Sequence, residues 1–92
     1  KKEIISFYLD RIKKYNHQLD AVLEFFDDLT DQQIEQSTGL LAGIPFIAKD
    51  NICQKGRITS AGSQILSNYT APYNATVMER LNAQGALSIG RA

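Results

Sequence analysis

Five apolar residues in a row, Ile44-Pro45-Phe46-Ile47-Ala48, run straight into Lys49-Asp50-Asn51. No polar residue alternates within the run, so a strand here has no face set aside for water. It belongs in a sheet covered on both faces, as in α/β proteins. Pro45 stands at its entry, where a missing N–H does least harm. Such a strand is not stable alone, and the rest of the chain must supply the layers around it.

The flanking sequence supplies them. Ile5, Leu9, Ile12 and Tyr15, with Ile4 and Tyr8 beside them, recur at helical spacing and predict an amphipathic helix over about residues 2–15, ending near Asn16-His17. Ala21–Phe26 reads as a strand or as a second buried helical turn, with strand preferred. In the polar stretch Asp27–Ser37, Thr30 and Gln33 form a capping-box pattern for a short surface helix. Residues 55–73 are loop-rich, punctuated by Gly56, Gly62, Asn68 and Pro72, with room for a helical turn at Ser63–Ser67. Asn74–Gln84 is the second clear helix, with Val77, Met78 and Leu81 as its apolar face. Thr76 and Glu79 resemble a capping box, and Gly85 suits the C′ position. Ala86–Gly90 follows as a strand, and helix, glycine, strand is half of a βαβ unit.

Composition closes off several functions. Ninety-two residues make one small domain at most. Ten basic residues offset ten acidic ones, so nothing grips nucleic acid by bulk charge. A single cysteine rules out an internal disulfide and favours a reducing compartment. No apolar run approaches the roughly 20 residues of a membrane span, and the first residues open a helix pattern rather than a signal peptide. The chain begins without methionine and ends before any helix that would cover its last strand. The expectation is the N-terminal part of a larger α/β protein.

Lys49 carries the most chemical interest, because open α/β sheets place their sites in the crevice at the carboxyl ends of strands. Burial there would disfavour its charged form, as a general base requires. A solvated lysine, or one paired with Asp50, is the competing reading. Cys53 is either a nucleophile near a basic lysine or a small core residue. His17 has no ligand partner at metal spacing and reads as a helix-end cation. Ser60 and Ser63 lack a nucleophile elbow, so turn chemistry is the better reading. No phosphate-binding glycine motif is present.

The block Gly43-Ile44-Pro45-Phe46-Ile47-Ala48-Lys49-Asp50-Asn51 resembles the lysine-bearing strand of the amidase signature family. Leu9-Asp10-Arg11-Ile12 with Asn16 and Leu19-Asp20-Ala21 resembles the opening helix and first strand of that family. Thr59-Ser60-Ala61-Gly62-Ser63 resembles its threonine- and serine-rich loop, and Ala75–Leu81 through Gly85-Ala86 and Ile89-Gly90 its next helix and strand. Asn74 stands where the family usually has aspartate, and either residue can cap a helix. The resemblance implies an α/β fold, a truncated N-terminal part of the amidase-signature architecture with a mixed sheet and flanking helices. Residues 1–92 would form one segment of a single larger domain, with no internal boundary.

The family's chemistry uses a lysine, a bridging serine and a nucleophilic serine. Only the lysine maps here, onto Lys49, as the implied proton acceptor. Leu41–Phe46, Lys49–Cys53 and Ala71–Val77 are similar to family members that serve as glutaminase subunits of tRNA-dependent amidotransferases. This implies glutamine as substrate and a heterotrimer whose partner subunit uses ATP and Mg²⁺ to amidate Glu-tRNA(Gln), a carbon–nitrogen ligase reaction. It implies no cofactor in the glutaminase component, and a bacterial cytoplasm or organellar matrix. An amidase for small amides is the alternative. The 92 residues by themselves would lack the nucleophile and act only as a structural piece. Unpaired strand edges would favour a strand-paired dimer.

Overall fold

Ile5, Leu9 and Ile12 recur every three or four residues, and in the computed structural model, which describes residues 1–92, they line the inner face of helix α1 (Lys2–Leu19). The helix runs past its expected end because Asn16 is a latch rather than a stop. Its Nδ2 donates to the Val22 carbonyl at 2.8 Å, and its Oδ1 accepts the Ala21 and Val22 N–H groups at 2.9 Å. Asp20 turns left-handed (φ 49°) and donates its N–H to the Asn16 carbonyl.

Strand β1 (Glu24–Phe25) follows, shorter than the expected 21–26, although Leu23 and Phe26 extend its pairing through their N–H groups. Helix α2 (Asp31–Gln36) carries the predicted capping box. The Gln33 N–H donates to Thr30 Oγ1 at 3.1 Å, and the Thr30 N–H donates to Gln33 Oε1 at 2.9 Å. Thr30→Ala is expected to cost about 1 kcal/mol, read as a lowered urea midpoint with unchanged slope.

Strand β2 (Pro45–Ala48), helix α3 (Thr76–Ala83) and strand β3 (Leu87–Arg91) complete a βαβ unit. The sheet order is β1-β3-β2, with β2 parallel and β1 antiparallel to β3. The expected Thr76–Glu79 capping box does not form. Thr76 is already the first helical residue, Ala75 stands at the N-cap, and the Asn74 side chain accepts the Lys55 N–H instead. Val77, expected on the apolar face, is exposed, while Met78 is buried. At the other end Gly85 behaves as predicted. At φ +85° it donates to the Asn82 carbonyl, and Ala86 donates to that of Leu81, the double bond of a Schellman motif.

The core gathers Ile5, Ile34 and Ile89, flanked by Leu9, Ile12, Leu29 and Leu87. Full burial of each isoleucine contributes about 1.5–3 kcal/mol. The expectation that β2 is covered on both faces is not met within this chain. It lies at the sheet edge, and Ile44 and Ile47 remain 48% and 40% exposed. Ile47 and Ile89 look into an apolar groove against Tyr8, Ile12 and Tyr15 of α1. Residues 55–73 close on themselves through an antiparallel bridge, Ile58 opposite Thr70, with tight turns at 64–69 rather than a helix. No helix is long and apolar enough to cross a membrane.

Candidate functional site

Where β2 ends, consecutive residues part company. Lys49 is exposed and Asp50 is 5% exposed. Burial of the lysine, expected from the apolar run before it, is therefore corrected: an edge strand has no neighbour to cover its terminal side chain, and Asp50 takes the inward position. Lys49 lines an open cleft of about 270 Å³ together with Leu23, Asn51, Ala61 and Gly62.

Lys49 does not pair with Asp50. The Asp50 Oδ1 accepts from Arg91 Nη1 at 2.5 Å and from the Ser60 N–H at 3.1 Å. Its Oδ2 accepts from the Ser60 hydroxyl and from the Gly62 N–H. Arg91 turns its Nε to Glu24 Oε2 at 2.9 Å, so a charged chain of Glu24, Arg91 and Asp50 crosses from β1 to the end of β2. The other ion pairs use Lys2, Lys13 and Arg57. Lys49 takes part in no ion pair.

Burial pushes the Asp50 carboxyl up, but the Ser60 hydroxyl and N–H, the Arg91 guanidinium and the Gly62 N–H outweigh it and hold the group at about 2. A carboxyl depressed from 3.8 in this way stabilises the fold above the unfolded value and loses that contribution as pH falls toward 2. About 2 kcal/mol is expected to disappear between pH 5 and pH 2. Denaturant titrations at the two pH values should show it, with a clearly smaller difference in Asp50→Asn. Equal pH dependence in the variant would place the loss elsewhere.

The loop opposite Lys49 is unusual. Ala61 adopts φ 50° without being glycine, and Gly62 follows at φ 72°. Left-handed alanine costs roughly 1–2 kcal/mol. Ala61 donates its N–H to the Asp50 carbonyl at 3.1 Å. Beside it, the buried Thr59 hydroxyl has no hydrogen-bond partner.

The other residues of interest fall elsewhere. Cys53 is a half-buried free thiol beside Tyr73, outside the cleft. His17 is exposed in the last turn of α1. Ser60, whose hydroxyl is committed to Asp50, is a turn residue as expected. No group of three or more His, Cys, Asp or Glu side chains is arranged to hold a metal. Sequence reasoning missed Arg91 and Glu24 as partners in the Asp50 network, since no local pattern joins residues 41 and 67 positions apart.

The family model for amidases matches residues 3–92, and the chain belongs to that family. A glutamyl-tRNA(Gln) amidotransferase subunit from Protochlamydia amoebophila is 40% identical over 97 residues, covering 96% of this chain and 20% of that protein. Among solved structures, the corresponding glutamyl-tRNA(Gln) amidotransferase component of Thermotoga maritima superimposes with a TM-score of 0.84 at 28% identity, over 96% of this chain and 19% of that one. An amidase family protein of Bacillus anthracis gives 0.82 at 31% identity, over 98% and 20%. The chain thus spans about a fifth of the length of these relatives. The mixed sheet with flanking helices is the architecture they share with it.

Proposed function

We propose that this chain is the N-terminal, lysine-bearing segment of one larger amidase domain, in the glutaminase component of a glutamyl-tRNA(Gln) amidotransferase. The observation that carries the reading is Lys49, unpaired in an open cleft at the carboxyl end of β2, in a chain that is 40% identical to a component of such an enzyme. Lys49 accepts a proton from a bridging serine, which in turn activates a nucleophilic serine, and both serines are supplied from outside these residues. Glutamine then acylates the nucleophile and releases ammonia. A partner subunit uses ATP and Mg²⁺ to amidate Glu-tRNA(Gln), and no residue here is assigned to either. The setting is a bacterial cytoplasm or organellar matrix.

Ammonia release from glutamine and from small aliphatic amides, measured on the natural full-length polypeptide with its partner subunits, tests this reading. Preference for glutamine is expected, with the 92-residue chain alone at buffer background. Faster turnover of small amides would shift the assignment to a general amidase. The open edge of β2 further supports strand pairing between copies of the 92-residue chain. Sedimentation should show a dimer or larger species, and a strict monomer at high concentration excludes the pairing.

A further inference from the structure

Asp50 accepts more hydrogen bonds from one loop than a strand end requires. Its carboxylate accepts the Ser60 N–H, the Ser60 hydroxyl and the Gly62 N–H, and its carbonyl accepts the Ala61 N–H. Three successive residues of the turn are thereby tied to the residue that follows Lys49. The turn is held in a conformation that costs free energy, with left-handed backbone at Ala61. The same Ala61 and Gly62 form the cleft wall facing Lys49. Charge reinforces the geometry, because Arg91, only 12% exposed, holds Asp50 on one side and Glu24 on the other. A carboxylate engaged in this way is kept off the neighbouring lysine.

We propose that Asp50 is a positioning residue: it clamps the Ser60–Gly62 turn as the fixed wall of the Lys49 cleft and, paired with Arg91, leaves the Lys49 amine without a counter-ion. The proposal rests on the reading of Lys49 as the working amine. Strained segments cluster where a surrounding network over-determines them, and here the network is one carboxylate. Without the clamp the Ala61 strain is released by moving the wall, and a displacement of about 1 Å at such a site costs about 10²-fold in rate.

The test uses the natural full-length polypeptide carrying Asp50→Asn, with Ser60→Ala as a milder variant that keeps the carboxylate. Hydrogen exchange on the peptide covering residues 58–63 should accelerate about tenfold or more in Asp50→Asn and less in Ser60→Ala, with helix α1 unaffected. Amide turnover should fall about 10²-fold in kcat with little change in KM. In a Lys49→Ala background, Asp50→Asn should lower turnover no further, because both changes disable one unit. Thr30→Ala, which weakens the fold at a distance, should leave turnover intact. Unchanged exchange at 58–63 overturns the clamp whatever Lys49 does. Changed exchange with fully additive kinetic losses overturns the link to Lys49 and leaves Asp50 a structural residue. If Asp50→Asn fails to fold, the exchange and kinetics of Ser60→Ala decide in the same way.

Discussion

Lys49→Arg in the natural full-length polypeptide is expected to lower amide turnover by about 10²–10⁴-fold, or about 3–5 kcal/mol of barrier, with substrate binding nearly intact. Arginine keeps the charge and the reach of lysine, but its guanidinium remains protonated at any usable pH and accepts no proton. A role as proton acceptor therefore ends, whereas a role as a positive charge survives. Lys49→Ala should lose as much. In the 92-residue chain neither change should harm the fold, since there the side chain is exposed and takes part in no ion pair, and surface changes of this kind stay within about 0.5 kcal/mol. Steady-state kinetics beside thermal melts make the separation. Near wild-type turnover in Lys49→Arg would remove the proton-acceptor role, and a matching fall in Tm would mean that the residue supports structure instead.

A large stability effect is expected at Gly85. Its φ of +85° lies in the left-handed region, and a Cβ there would stand 2.5 Å from the Thr38 carbonyl oxygen and 2.9 Å from Ala42 Cα. Both obstacles are backbone, and they have no easy retreat. The Leu41 N–H donates to the Gln84 carbonyl at 2.8 Å, and the Gly43 N–H donates to that of Gly85 at 3.2 Å, binding the turn before β2 to the end of α3. Gly85→Ala adds left-handed strain of about 1–2 kcal/mol to overpacking of about 1–3 kcal/mol. The sum, about 2–5 kcal/mol, is a large part of what a small domain possesses. Gly62 is the internal control: φ is +72°, but open space surrounds its Cβ position, so Gly62→Ala carries the strain without the clash. Urea unfolding of the two variants should differ by more than about 1 kcal/mol. Equal losses would show that the chain around Thr38 yields readily.

The elements that could be read without the structure are those written in short-range chemistry. The helical recurrence of Ile5, Leu9 and Ile12, the Thr30–Gln33 capping box and the glycine after α3 each depend on neighbours within one or two turns. So do the strands at 45–48 and 87–91: an apolar run marks the first, and its place directly after a helix and Gly85 marks the second. Helix boundaries slipped where a side chain found a partner outside the local pattern, as Asn16 did with Val22 and Asn74 with Lys55.

Lys49 was legible as a position, the charged residue after an apolar strand, but not as an environment. Its exposure follows from β2 standing at the edge of the order β1-β3-β2, and strand order is a matter of which distant segments pair. Asp50 is the sharper case. Its nearest cation in the chain is Lys49, one residue away, yet its carboxylate closes on Arg91, 41 residues on, because the parallel pairing of β2 with β3 sets Ala48 opposite Arg91. Local sequence determined which residues form strands, caps and turns, since hydrogen bonding and side-chain periodicity act over a few positions. Only the tertiary structure decided which charge is neutralised and which is left free, because the energy of an ion pair depends on distance and burial, and the register of a sheet sets both.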